Sequence, residues 1–151
     1  MSLADTIIKA FVPSTSAGKE LVRTWKRTKK AVTATTAFLP GNFIFTEYIA
    51  LTPKTYDINP VVIVIRANKH HVFGINVNWL SRYEKTKLMN FLISKDIQNK
   101  SRLEMIRRFR FTKKAYRLYH RKALAKPRIF KLDANDLFDA LTHNIRRETK
   151  N

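Results

Sequence analysis

The chain has 151 residues, enough for one domain with a hydrophobic core, and at 44% hydrophobic and 27% charged residues it is not a wholly disordered polymer. It contains no cysteine, which excludes disulfides, thiol catalysis and cysteine-ligated zinc together. Thirty Lys and Arg against eleven Asp and Glu give a net charge of +19, a self-repulsion that a polyanion relieves, so nucleic acid is the first partner the composition implies.

Ser2 to Val12 sets Leu3, Ile7, Ile8 and Phe11 on one helical face closed by Pro13. Asp5 and Lys9 interrupt it, and no run approaches the ~18 apolar residues that span a bilayer, so neither secretion nor a membrane partner is expected. A second helix is predicted over Lys19–Lys30. Leu21, Val22 and Trp25 face one way, while Arg23, Lys26, Arg27, Lys29 and Lys30 make it strongly basic. Trp25 reads as a core anchor. Ala31 to Gly41, rich in Thr and Ala and ending in Pro-Gly, is expected to be an extended linker. Residues 1–40 then form a basic N-terminal arm able to dock on a neighbouring subunit or on nucleic acid, and residues 41–151 an α+β domain.

That domain is organised on Phe43 to Leu80, which is rich in β-branched and aromatic residues and almost free of net charge. Three strands are predicted, over Phe43–Leu51, Val61–Ile65 and Val72–Val77. Pro53 and Pro60 bracket the first connection, and the second, Ala67 to His71, is short enough for antiparallel neighbours. The aliphatic middle strand demands cover on its faces, which the flanking helices supply. Next, Ser81-Arg82-Tyr83-Glu84 fits a capping box, with Leu88, Phe91 and Leu92 on one face of the helix it opens.

Between Ser101 and Leu124, Arg107, Arg110, Lys114, Arg117 and Arg121 recur at alternating spacings of three and four, which on a continuous helix draws a single basic stripe. Met105, Phe109, Tyr116, Tyr119 and Ala123 keep the same rhythm on the opposite side. Thr112 is a candidate cap at a break in this helix. Beyond Pro127, Arg128–Leu132 reads as a short fourth strand. Asp133 is a candidate N-cap for a last helix with Leu137, Phe138, Leu141 and Ile145 inward. The fold expected is thus α+β, a small antiparallel sheet of three to four strands with flanking helices and the basic arm.

Charge is concentrated. Residues 81–131 carry 17 cations against 3 acids, whereas residues 41–80 and 132–151 are close to neutral. Such single-sign crowding exceeds what solubility requires and points to phosphate contact through Arg107, Arg110, Lys114, Arg117 and Arg121, with Arg23, Lys26, Arg27, Lys29 and Lys30 as a second set. No zinc-finger spacing and no aromatic single-strand motif is present, so the contact expected is to backbone and independent of sequence.

Catalysis is not expected. The acids are scattered, Glu47 and Asp57 lack the second acid and the lysine of a nuclease strand, and the three glycines form no phosphate loop. His70-His71, with Asn76 or Asn78 beyond, is better read as a solvent-exposed turn than as a nuclease site. No cofactor or metal is implied.

The central pattern resembles a family of small virion proteins of T-even-like contractile-tailed phages. Tyr48, Pro53-Lys54-Thr55, Tyr56-Asp57, Pro60-Val61-Val62, Gly74-Ile75-Asn76 and Trp79-Leu80 follow in the family's order, and Tyr116 to Leu141 resembles its basic helix, short strand and acid-capped helix. Asn78-Trp79 stands where the family has His-Tyr. The resemblance covers about two thirds of the chain. It implies a structural protein of the head-completion, neck or DNA-end-protecting type, touching packaged DNA among other virion proteins in a symmetric ring or larger assembly, and it carries over no catalytic residue. The alternatives are a ribosomal or other RNA-scaffolding protein and a head-processing nuclease.

Overall fold

The structure is a computed structural model that describes residues 16–49, 56–57, 59–93, 104, 107–130, 139, 141 and 148–149. Its centre is a five-stranded antiparallel sheet in the order β5-β4-β3-β1-β6, built from β1 (Phe43–Tyr48), β3 (Val61–Ala67), β4 (His71–Asn76), β5 (Tyr116–His120) and β6 (Leu124–Ile129). A separate pairing joins β2 (Tyr56–Asp57) to β7 (Glu148–Thr149). Three helices are described: α1 (Ser16–Thr28), the one-turn α2 (Ala34–Ala37) and α3 (Arg82–Ile93). The expected α+β class holds, with five strands in the main sheet in place of three or four.

Alternation along the strands sorts the core into two layers. On one face Phe43, Phe45, Val61, Ile63, Ile75 and Val77 meet Trp25 of α1 and Leu88 and Met89 of α3. On the other, Ile44, Val62, Val64 and Val72 pack with Ala37, Phe38, Tyr119 and Leu124. β3 is buried on both faces over Val61–Ile65, which explains its unbroken aliphatic run. Gly74 of β4 lies where β3 comes close: a Cβ there would meet the Ile63 carbonyl oxygen and Val62 Cγ1, each at 2.5 Å.

Trp25 is the core anchor expected of it, with edge-on contacts to Phe130 at 4.8 Å and Phe45 at 5.4 Å between ring centroids. Each such pair contributes about 0.5–1.5 kcal/mol beyond its burial, so α1 is held on the sheet by aromatic packing. Residues 31–41 depart from the extended linker expected. Thr33 accepts the Thr36 N–H and starts α2, Phe38 is buried, and the Asn42 amide donates to the Thr36 and Ala37 carbonyls. Local Thr capping and one aromatic side chain fold a stretch whose composition alone reads as linker.

The larger correction concerns residues 101–124. Glu104, Arg107 and Arg108 are helical, but Lys113–Ala115 is a 3-10 turn, Tyr116–His120 is strand β5 and Arg121–Ala123 is a second 3-10 turn. No continuous helix carries Arg107, Arg110, Lys114, Arg117 and Arg121. Periodicity in cations is a weak helix signal because it records no buried face, and here the pairing β5 completes along β4 overrides it. β6 likewise starts at Leu124, before the strand expected at Arg128, and accommodates Pro127 at an irregular edge where Lys126 has φ 49°. The first expected helix, the Asp133 cap, Met105 and the side chains of Phe91 and Leu92 lie outside the described residues; Leu141 is helical and buried.

Two polar joints fasten the elements. Arg128, buried on β6, donates to the Lys29 carbonyl at 3.0 Å and the Lys126 carbonyl at 2.9 Å, and pairs with Glu47 of β1 at 3.5 Å. Ser81 and Glu84 form the expected capping box, each accepting the other's backbone N–H at 3.1 Å. Glu84 further accepts the Thr112 N–H at 2.6 Å and its hydroxyl at 2.7 Å, tying the start of α3 to the approach to β5. Burial pushes the Glu84 carboxyl up, but these bonds from Thr112 and Ser81 outweigh it and hold it below its ordinary 4.5.

Arg128→Ala removes the donor to two carbonyls and leaves Glu47 with Lys26 alone, and is expected to lower stability by about 3 kcal/mol, roughly 6–12 °C in Tm, whereas Lys26→Ala, which removes a solvent-exposed partner of the same Glu47, changes it by under about 0.5 kcal/mol. Thermal melts of both variants check this. Glu84→Gln is expected to cost about 1 kcal/mol near neutral pH. Because the folded-state pKa is depressed, that contribution is present above the ordinary value and fades as pH falls through the lower folded one. Melts of wild type and variant at pH 7 and pH 3 should therefore converge at the acid end.

Candidate nucleic-acid interface

β5 is an edge strand, and the cations singled out in the sequence are distributed along it and the turns at its ends. Arg107 and Arg110 are exposed on the approach. Lys114, in the turn before β5, and Arg117, on the strand opposite Gly74, both lean on the indole of Trp79, 5.0 Å and 4.9 Å from its ring centroid. Arg121, in the turn after β5, lies 5.4 Å from the Phe38 ring centroid and donates from Nη1 to the Asn68 carbonyl at 2.9 Å. Lys114, Arg117 and Arg121 therefore lie on β5 and the turns at its ends where a helical stripe was expected, with Arg107 and Arg110 earlier in the chain on the approach.

None of the five is paired with a carboxylate among the described residues. Glu20 is engaged with Arg23 and Glu47 with Lys26 and Arg128, whereas Glu84, bound to Thr112, and the exposed Glu104 lie close in the chain to these cations. Arg117 is half-buried, and its Nε is buried without a hydrogen-bond partner. Two like charges on one ring repel each other. Each gains cation–π attraction of about 0.5–2 kcal/mol from the indole, but mutual repulsion still favours an anion drawn to both.

The second set is divided. Arg23 pairs with Glu20 within α1, Lys26 pairs with Glu47 of β1 and Lys29 lies 5.2 Å from the Phe130 ring centroid, so the last two tie this segment to the sheet; Arg27 and Lys30 are exposed. Sequence reasoning missed Arg66, Lys69, His120 and Lys122, which the β3–β4 and β5–β6 turns bring to the same end of the sheet. The one available signal was a weak alternation, Tyr116, Leu118 and His120 against Arg117 and Tyr119, too mixed in polarity to mark a strand by itself.

The residues weighed for catalysis have structural surroundings. Asn68 Oδ1 accepts the backbone N–H groups of His70 and His71, forming the turn expected of that pair. Asn76 donates to the Tyr119 hydroxyl and accepts the Asn78 N–H, and Asn78 donates to the Asn59 carbonyl, a buried network bracing β4. Asp57 pairs through its backbone with β7. Among the described residues no group of three or more His, Cys, Asp or Glu side chains is placed to hold a metal ion, and no helix is long and apolar enough to cross a membrane.

Comparison of the chain with protein families, with curated proteins and with solved structures finds no match. Geometry and charge are what bear on function.

Proposed function

We propose that the protein is a structural, non-catalytic virion component of a contractile-tailed phage, of the head-completion or neck region, that rests against packaged DNA through sequence-independent contacts to the phosphate backbone. The observation that carries the DNA contact is a run of cations with no carboxylate partner among the described residues: Arg107 and Arg110, exposed on the approach to β5, and Lys114, Arg117 and Arg121 on that edge strand and the turns at its ends. A surface serving solubility alone mixes its signs more evenly than residues 81–131, where 17 cations stand against 3 acids. The virion assignment rests on the motif resemblance from Tyr48 to Leu80. Partner virion proteins and a symmetric ring belong to the same proposal.

Five phosphates neutralised predict that log K falls with log salt at a slope of about −4.5, a loss of roughly 500-fold between about 50 and 200 mM. Replacing the three exposed cations Arg107, Arg110 and Lys114 by Ala, with folding checked by circular dichroism, is expected to reduce the slope to about −2. A wild-type slope near zero, or variants that bind like wild type, would overturn the phosphate contact. Mass spectrometry of the particle that co-purifies with the chain separates the assignments: capsid and portal proteins support the virion, ribosomal RNA and protein refute it.

A further inference from the structure

The helices leave one corner of their sheet face open. Three cross-strand pairs run along β4 and β5 on this face, Ile75 opposite Tyr116, Phe73 opposite Leu118, and His71 opposite His120, and the last two are more exposed than the first. Ile75 is buried, Phe73, Tyr116 and His71 are half-buried, His120 is exposed, and Leu118 is 63% exposed. Leu88 and Met89 of α3 cover the first pair's side of the sheet and Trp25 covers Phe45 and Phe130, so Leu118 and His120 face solvent while Phe73 keeps one side against the core and His71 is half-buried.

What stands in that corner is flat and π-rich. The His71 and His120 rings are 5.2 Å apart, Phe73 stacks beside Tyr116 at 6.2 Å with an interplanar angle of 18°, and Arg66 of β3 reaches across so that its guanidinium sits 4.6 Å from the Phe73 ring centroid. Arg66 is exposed and pairs with no carboxylate among the described residues. Adjacent strands are ~4.8 Å apart, so the corner spans roughly 10 Å across β3, β4 and β5, the width of about two bases. Arg121 and Lys122 follow His120 directly in the turn after β5, and Lys69 precedes His70 in the turn before β4.

We infer that this open corner is a stacking platform for unpaired nucleotides, giving the protein a preference for single-stranded over duplex nucleic acid. Imidazole rings, an exposed guanidinium plane and an aliphatic side chain offer surfaces to base faces, and the surrounding cations match the charge of the strand. A duplex hides those faces in its own stack and can use only the cations. The inference rests on the phosphate-contact reading for its cations, and adds the bases as a second, salt-insensitive source of affinity. The occupant is a strand of DNA or RNA; an acidic peptide offers carboxylates to the cations but no rings to the platform.

The test uses the full chain with fluorescently labelled dT12, rU12 and a 12-base-pair duplex at several salt concentrations. Wild type is expected to bind at least one single strand roughly tenfold more tightly than the duplex at 200 mM salt. His71→Ala with His120→Ala should abolish that preference and leave the duplex salt slope unchanged, while His71→Phe with His120→Phe, which keeps the rings, should retain it. Leu118→Trp, at an exposed position, should strengthen single-strand binding and show quenching of its added indole fluorescence only with unlabelled single strands. Equal affinity for strand and duplex, a preference that survives the double Ala variant, or an added indole signal in the Leu118→Trp variant that the strands leave unchanged overturns the platform. If that happens with the steep salt slope intact, the phosphate reading stands alone; if all three oligonucleotides bind weakly and without salt dependence, both fall.

Discussion

The pairing of β5 on β4 is the interaction on which the surface depends. Without it, β4 would be an edge and residues 116–120 would be free to continue a helix; with it, Arg117 and Tyr119 are fixed to one face and Tyr116, Leu118 and His120 to the other. The same pairing places Lys114 and Arg117 against Trp79, since the turn of Lys113–Ala115 must deliver the chain to the start of β5 beside the turn that ends β4. It also puts Arg121 next to the β3–β4 turn, where the Asn68 carbonyl accepts its guanidinium and the His70 carbonyl its backbone N–H. The placement of these cations and the open corner are two consequences of one ladder.

How far the sequence disclosed this divides along a physical line. Strands β1, β3 and β4 were legible because burial of both faces of β3 leaves a continuous aliphatic run, and because Pro60 and the Asn68–His71 turn mark its ends. Trp25 and the Ser81–Glu84 box were legible for a similar reason, since each makes a local or strongly apolar demand. β5 was not. Its residues alternate only weakly, and what stabilises it is hydrogen bonding to a strand more than forty positions away, which no local window records. The spacing of five cations imitated a helix face, where the chain instead forms a 3-10 turn, strand β5 and a second 3-10 turn. β2 and β7, two residues each, carry no pattern long enough to read.

The two edges of the sheet are treated differently, and the difference bears on what the cations are for. Along β6 the chain covers its own edge: Val32 donates to the Pro127 carbonyl, Arg128 is turned inward to the Lys29 carbonyl and Glu47, and Pro127 removes a donor. Along β5 no such cover exists among the described residues, as the exposure of Leu118 and His120 records. Charged side chains on an open edge are a common means of preventing strands of separate molecules from pairing, and one or two lysines accomplish it. That role cannot account for the number here. Lys114, Arg117, Arg121 and Lys122 sit on this edge and its turns, with exposed Arg107 and Arg110 before it, and none is paired with a carboxylate among the described residues. Repulsion among these cations destabilises the folded chain in isolation, and a bound polyanion removes that cost. An edge left open, with cations that have no carboxylate partner among the described residues, is what the proposed contact with a polyanion draws on.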